Sequence, residues 1–263
     1  MGLMAEIRAT AVEVGTLALW FLGQNGWVVK SPADFVLVVD PYLSDSCHPS
    51  RRGLDLARQV PVPIPPEALE ADLVACTHGH RDHADPVTLA ALASSGKVRR
   101  FLGPAETHGV FAAAGIAEND RALAWPNAEE AAGDLTLIGT FALPTDTTDL
   151  THMGFAVKAE GGPTLWITGD TAWCDLVAEC GAAHRPDAVC VCINGGYANL
   201  SHWQAAELVR RVDPRIAIPC HWDMFADNSC DPRMFHASLV VKGIGEKYRY
   251  LGHGEKLVIR AGE

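Results

Sequence analysis

The chain has 263 residues, of which 48% are hydrophobic and 20% are charged, a balance that excludes an intrinsically disordered protein. Its 21 Lys and Arg residues stand against 32 Asp and Glu residues, which gives a formal net charge of −11. Because nucleic-acid binding depends on Lys and Arg that release counterions from phosphates, this charge argues against a nucleic-acid partner.

Short apolar runs of strand length recur along the chain and predict β-strands. They cover residues 17–22, 27–29, 35–39, 73–76, 135–143, 155–157, 165–168, 188–193, 216–220, 248–251 and 256–259. Capping residues, prolines and glycines predict helices over 86–95, 104–114 and 232–242, and a fourth that begins with the capping box Ser201-His-Trp-Gln204. This order predicts two packed sheets with helices outside them, in a single domain over residues 1–263.

A cluster of histidines and aspartates follows the predicted strand 73–76. It reads His78-Gly-His80-Arg-Asp82-His83 and ends where the helix at Pro86 is predicted to begin. Imidazole is the commonest metal-ligating side chain, and a carboxylate adds an oxygen donor. A loop at a strand end can direct alternate side chains at one point. We therefore interpret the cluster as a metal-binding loop rather than as a turn that happens to be rich in histidine.

Two later strand ends carry single candidate ligands. Asp170 follows Gly169 at the end of one predicted strand, and His221 follows another directly. Taken alone, Gly-Asp is a common turn and helix-cap signal, and a lone histidine at a strand end is more often structural. Together with the first loop, both positions become candidate metal ligands, with Asp170 as a carboxylate that bridges two ions.

These motifs together resemble the metallo-β-lactamase superfamily. The H-x-H-x-D-H loop, the later Gly-Asp and the still later histidine occur in that family's order, and the resemblance runs from about residue 20 to residue 259. It implies an α/β (α+β) fold, the four-layer αββα sandwich, with a site for two metal ions. Within the superfamily the chain looks most like the ascorbate-6-phosphate lactonase-like branch, through its stretches 20–26, 39–45 and 218–223.

The resemblance also implies a role for each matching residue. The implied ligands are His78 and His80 for the first ion, Asp82 and His83 for the second ion, Asp170 between the two, and His221 for the second ion. Asp40 matches the acidic residue that ends an early strand and orients the ligand loop from beneath the metals.

One ligand of the first ion has two candidates. His152 lies shortly before Asp170, as the family's third histidine often does. The lactonase-like branch tends to place its residue earlier in this loop and carries a longer insertion there, which makes Asp146 the rival. The sequence favours His152 and leaves Asp146 open, and the missing insertion leaves the phosphosugar lactone itself open as well.

The implied chemistry is metal-dependent hydrolysis. Two neighbouring divalent cations can share one water and lower its pKa towards about 7. We expect the resulting hydroxide to attack a lactone- or ester-type carbonyl of a small molecule, in a site centred on Asp82 and His83, with Asp82 able to take the proton. Zinc is the first expectation for both ions, and manganese or iron also suits a mixed His and carboxylate set. A phosphodiesterase on the same dinuclear scaffold is the alternative, and a non-catalytic sensor is disfavoured by the intact ligand motifs.

The location of the protein is also predicted from the sequence. No apolar run approaches the roughly 20 residues that span a bilayer, and the first residues lack the pattern of a signal peptide. The eight cysteines include no C-x-x-C pair and lie mostly within apolar runs, which favours buried thiols in a reducing compartment over disulfides. We expect a cytoplasmic protein with a small-molecule substrate and no nucleic-acid or membrane partner, with homo-oligomerisation left open.

We predict that His80→Ala abolishes hydrolysis and lowers the metal content of the purified protein, because it removes one ligand of the first ion. Metal analysis of protein purified without chelators, together with turnover of an activated ester, measures both effects. His236→Ala is the matched control, since His236 belongs to no ligand motif. Unchanged turnover by His80→Ala would refute the assignment.

Overall fold

The computed structural model describes residues 2–50, 53–143 and 152–262. The strands in these ranges are β1 Thr16–Gly23, β2 Gly26–Lys30, β3 Val36–Val39, β4 Ala71–Ala75, β5 Val98–Gly103, β6 Arg121–Leu123, β7 Glu129–Ala132, β8 Leu135–Phe141, β9 Met153–Ala159, β10 Thr164–Ile167, β11 Ala188–Cys192, β12 Ile216–Cys220 and β13 Lys256–Arg260. The helices are α1 Leu3–Ala9, α2 Pro86–Ser95, α3 Ala105–Ala113, α4 Asp175–Ala183, α5 His202–Val212 and α6 Pro232–Val241. None of these helices is long and apolar enough to cross a membrane.

The strands form two sheets. One sheet has the order β13-β1-β2-β3-β4-β5-β6, and the other has the order β12-β11-β10-β9-β8-β7. Strands β3 to β6 are parallel, as are β10 to β12, and all other neighbouring pairs are antiparallel. The predicted mixed α/β fold with two sheets is confirmed.

Side chains of the first sheet alternate between two cores. In β1, Leu19 and Phe21 belong to the core that includes Phe155 of the second sheet. Trp20 points the other way and shares a separate core with Ile7 of α1 and with residues of α2 and α3. A strand buried on both faces in this way reads as a continuous apolar run. Helices α4, α5 and α6 contribute to the core around the second sheet, which completes the four layers.

The predicted strand 248–251 is the clearest error of the sequence analysis. Tyr248 makes a single bridge to Ala217, and the residues after it form no strand. The segment follows a turn of 3₁₀-helix over Gly245–Lys247, and the ring of Tyr248 stacks on His236 of α6. Its apolar pattern therefore reflects packing on a helix rather than a place in the sheet.

Helix α4 rests directly on the second sheet at Gly181. A Cβ atom added to Gly181 would overlap the indole ring of Trp166, which is fully buried in β10. Trp166 has little freedom to move, since its Nε1 donates a hydrogen bond to Thr140 Oγ1 at 3.0 Å. Gly109 of α3 is the opposite case, because a Cβ atom added there would contact nothing within 4 Å.

We predict opposite effects for the same substitution at these two helical glycines. Gly181→Ala should destabilise the fold by about 1–3 kcal/mol, because the new methyl group overpacks the interface with Trp166. Gly109→Ala should stabilise the fold by up to about 1 kcal/mol, because alanine has the better helix propensity. Denaturant unfolding of both variants measures the difference, and equal effects would contradict this packing of α4.

Candidate metal centre

The predicted ligands lie at one edge of the sandwich, where strands of both sheets end. Strand β4 ends shortly before His78, β10 ends shortly before Asp170, and β12 ends immediately before His221. Strand β9 runs antiparallel to β10 and begins directly after His152, so its start lies at the same edge. Crevices beyond the carboxyl ends of parallel strands are common places for ligand sites.

His78, His80 and His152 form one cluster, which we call the His152 group. One ring nitrogen from each lies within 4.8 Å of the others. The ring of His78 is centred 4.5 Å from that of His80 and 4.1 Å from that of His152. His78 and His152 are buried, whereas His80 is exposed. The structure thus brings His152 to the predicted pair, while its rival Asp146 lies outside the described residues.

Asp82, His83, Asp170 and His221 form a second cluster, which we call the Asp82 group. Asp82 Oδ2 lies 3.6 Å from His83 Nε2 and 3.4 Å from His221 Nε2. On the other side, Asp170 Oδ1 lies 3.5 Å from His83 Nε2 and 3.3 Å from His221 Nε2. Donors that share one ion at about 2.1 Å are separated by roughly this distance. His78 also lies within 4.8 Å of His83 and Asp170, so the two groups are adjacent.

Three atoms of these groups show that the residues fit a divalent cation. His78 Nε2, His83 Nε2 and Asp170 Oδ1 are buried and have no hydrogen-bond partner among the described residues. Buried polar atoms are nearly always paired, so unpaired ones require an explanation. Imidazole nitrogens and carboxylate oxygens are the donors that zinc, manganese and iron take from proteins.

The charges of the Asp82 group stabilise one another. Burial alone would lower the pKa of His221, but the carboxylates of Asp170 and Asp82 outweigh burial and raise this pKa to about 9. The pKa of His83 is likewise raised well above its ordinary value against the effect of burial, by Asp170, Asp82 and Asp40. Burial would raise the pKa values of both aspartates, but the two imidazoles lower them. The carboxylates therefore stay ionised in a buried site, as ligands of a cation must.

Asp40 orients the ligand loop through four hydrogen bonds. Its carboxylate accepts from the Thr77 N–H at 2.7 Å, Thr77 Oγ1 at 2.6 Å, Asn25 Nδ2 at 2.7 Å and His83 Nδ1 at 2.7 Å. Thr77 Oγ1, which donates to Asp40, lies 3.1 Å from His78 Nδ1 and can accept a hydrogen bond from it. With Nδ1 occupied in both histidines, each presents Nε2 to the site.

Two side chains that contact the ligands or their loop were not predicted from the sequence. Asn199 Nδ2 donates to Asp170 Oδ2 at 2.8 Å, which leaves Oδ1 to face the histidines. Glu106 of α3 accepts a hydrogen bond from the Gly79 N–H at 2.7 Å, and its carboxylate lies 3.8 Å from His152 Nε2. Neither residue belongs to a recognisable motif, so only the folded structure reveals them.

Three residues of the site adopt left-handed backbone conformations. Gln24, Asp40 and His221 have φ angles of 56°, 45° and 58°. Residues other than glycine rarely adopt this conformation, which costs each on the order of 1 kcal/mol. Strained backbone of this kind concentrates at functional sites, where surrounding contacts hold it in place.

We predict that Asp40→Asn weakens metal binding by roughly 10–100-fold, because the amide cannot accept all four hydrogen bonds that orient the loop. Competition with a chelating dye measures the affinity. Asp213→Asn is the matched control, since Asp213 also has a left-handed backbone, with φ 57°, but its side chain is 78% exposed and paired with Lys247. Equal affinities of the two variants would contradict the orienting role of Asp40.

Known proteins share this sequence pattern. Residues 18–221 match the family model described as the Beta-lactamase superfamily domain. A UPF0173 metal-dependent hydrolase of Anaeromyxobacter dehalogenans is 30% identical over 242 residues, which cover 85% of this chain and 81% of that protein. A UPF0173 metal-dependent hydrolase of Archaeoglobus fulgidus is 30% identical over 253 residues, which cover 91% of this chain and 97% of that protein.

Solved structures share the fold. Igni18, a metallo hydrolase of Ignicoccus hospitalis, superposes with a TM-score of 0.73 at 20% identity and covers 93% of this chain and 99% of its own. An isothiocyanate hydrolase from Delia radicum gut bacteria superposes with a TM-score of 0.74 at 18% identity and the same coverage, 93% and 99%. At such identities the likeness concerns the fold alone. The family model and the relatives at 30% identity carry the further conclusion that the chain belongs to the metallo-β-lactamase superfamily, among its metal-dependent hydrolases.

Proposed function

We propose that this metal-dependent hydrolase uses two divalent cations, with zinc as the first candidate, to cleave a lactone- or ester-type carbonyl of a small molecule. The observation that carries the proposal is the adjacency of the His152 group and the Asp82 group. Their donor atoms come from separate strand ends and gather at one edge of the sandwich. A single structural turn rich in histidine would not explain that convergence.

The proposed ligands follow from the two groups. His78, His80 and His152 would hold one cation, Asp82, His83 and His221 the other, and Asp170 would lie between them. Cations held there supply Lewis acidity, which polarises a carbonyl oxygen and makes water more acidic. The lactonase-like stretches of the sequence support a carbonyl substrate. The sequence has no G-x-S-x-G motif, which supports water rather than a serine as the nucleophile.

Asp82 is the proposed proton acceptor. Its side chain is 18% exposed, so it lies at the rim of the site rather than beneath it. From there its carboxylate could take a proton from water and pass it to the leaving group. His83 is proposed to act beside it, held in one orientation by Asp40.

The open side of the site indicates where the substrate enters. His80 is exposed and Asp170 is 12% exposed, whereas His78 and His83 are fully buried. A small molecule that approaches past His80 would meet both groups at once.

The net charge of −11 supports a substrate other than nucleic acid. We propose a cytoplasmic protein with no membrane partner. Homo-oligomerisation is left open.

We predict that treatment with a chelator removes two metal equivalents per chain and abolishes hydrolysis, and that zinc, manganese or iron restores it. The substrates are a small lactone, a p-nitrophenyl ester, bis-p-nitrophenyl phosphate and an isothiocyanate. The last is included because a structural neighbour is an isothiocyanate hydrolase, whose substrate also has an electrophilic carbon. Turnover of the lactone or ester supports the proposal.

Other outcomes would change the proposed substrate or the proposed activity. Turnover of the phosphodiester alone would favour a phosphodiesterase on the same scaffold. Turnover of the isothiocyanate alone would replace the ester or lactone as substrate but retain the metal site. Metal binding without turnover of any compound would indicate a non-catalytic protein.

A further inference from the structure

Gln24 places its side-chain amide against the Asp82 group. The residue lies in the hairpin between β1 and β2 and is completely buried. Its Nε2 atom is 2.6 Å from Asp82 Oδ2 and 3.0 Å from His221 Nε2. The amide nitrogen is therefore closer to Asp82 Oδ2 and to His221 Nε2 than these two atoms are to each other, since they are 3.4 Å apart.

The backbone holds Gln24 in this position. Its N–H donates to Asp223 Oδ1 at 3.1 Å, and its carbonyl accepts from the His221 N–H at 2.7 Å. The preceding Gly23 has a φ angle of 96°, which residues with a side chain rarely adopt, and a Cβ atom there would also approach Asp223 Oδ2 to 3.2 Å. The left-handed conformation of Gln24 is thus fixed by contacts on both sides and directs the amide into the site.

The two ends of the amide are in different situations. Nε2 faces the Asp82 group, whereas Oε1 is buried without a hydrogen-bond partner among the described residues. If His221 Nε2 gives its lone pair to a cation, it can no longer accept a hydrogen bond from Gln24. A half-turn of the amide exchanges its nitrogen and oxygen, which have nearly the same size and shape. Oε1 would then occupy the place among the donors that Nε2 holds now.

We propose that Gln24 Oε1 is a fifth, neutral ligand of the cation held by Asp82, His83, Asp170 and His221. This inference rests on the metal site of the proposed function. An amide oxygen suits a hard cation and adds no charge beside the two carboxylates. Gln24 would thereby raise the number of protein donors without adding like-charge repulsion to the group.

Cobalt(II) titration of the chelator-treated protein tests the inference. For the natural chain we expect two Co²⁺ ions to bind. Gln24→Leu should weaken one of the two binding steps at least tenfold and strengthen the visible absorption, because Co²⁺ absorbs more strongly when its coordination number falls. Gln24→Asn, whose oxygen is withdrawn by one methylene group, should show the same loss. Gln24→Glu keeps an oxygen at the same reach and should retain both binding steps.

Gln59→Leu is the matched control, since Gln59 is exposed and its amide donates to the nearby Ala57 carbonyl, away from the ligand groups. Circular dichroism of the metal-free variants checks that they fold, and Gln24→Asn and Gln24→Glu decide the question if Gln24→Leu does not. Unchanged Co²⁺ binding by Gln24→Asn would overturn the inference. Equal weakening of Gln24→Asn and Gln24→Glu with an unaltered spectrum would also overturn it, because Gln24 would then act as a hydrogen-bond donor to Asp82. If the natural chain binds no Co²⁺, the proposed metal site itself fails.

Discussion

The buried carboxylate of Asp40 is the interaction on which the candidate site depends. It is fully buried and would be costly to place there without partners, since an ion removed from water must be compensated by hydrogen bonds. Its donors come from three segments, namely the β1–β2 hairpin through Asn25, the start of the ligand loop through Thr77, and the end of that loop through His83. The carboxylate is stabilised only when all three segments are in place. The fold and the arrangement of the histidines are therefore coupled.

The second sheet is joined to this arrangement by the backbone. The Met153 N–H, at the start of β9, donates to the Thr77 carbonyl at 3.1 Å. Thr77 thus bonds to Asp40 beneath it and to the second sheet beside it, while His152 stands next to Met153 in the chain. His221 is fixed independently, because its N–H bonds to the carbonyl of Gln24. Two backbone contacts between the sheets accordingly set the spacing of the His152 group and the Asp82 group.

Local patterns in the sequence predicted much of the fold. The helix at Pro86 begins where it was predicted, with the Asp85 carboxylate accepting from the N–H groups of Val87 and Thr88. The capping box at Ser201 and Gln204 is present at the start of α5. Helix α4 was missed because it begins after Cys174, whose side chain forms no cap, so no start signal marks it in the sequence. Strand β5 was missed because it carries two exposed arginines, which obscure its apolar pattern. That residues 1–263 form a single domain stays a prediction.

In the candidate site, too, some residues could be predicted from the sequence and others could not. His78, His80, Asp82 and His83 could be recognised because they lie within one loop, and a strand end preceded both Asp170 and His221. Gln24 could not be recognised as a neighbour of His221, since 197 residues separate them and their contact depends on the pairing of hairpin and strand end. Asn199 lies 29 residues after Asp170 and reaches it from a turn with no motif of its own. Sequence spacing thus predicts residues that share a loop, whereas residues that orient them are determined by the tertiary fold.

The two groups are not chemically equivalent, and this difference follows from their residues. The His152 group consists of three imidazoles, one of which, His80, is exposed to solvent. The Asp82 group adds two carboxylates, and ion–carboxylate attraction grows as water is excluded. A cation in the Asp82 group would therefore be held mainly by charge, and one in the His152 group mainly by the geometry of the imidazoles. Because Asp170 lies close to both His78 and His221, movement of this one carboxylate would affect both positions. The hydrogen bond from Asn199, which keeps Oδ2 of Asp170 turned away, thereby acts on the whole site.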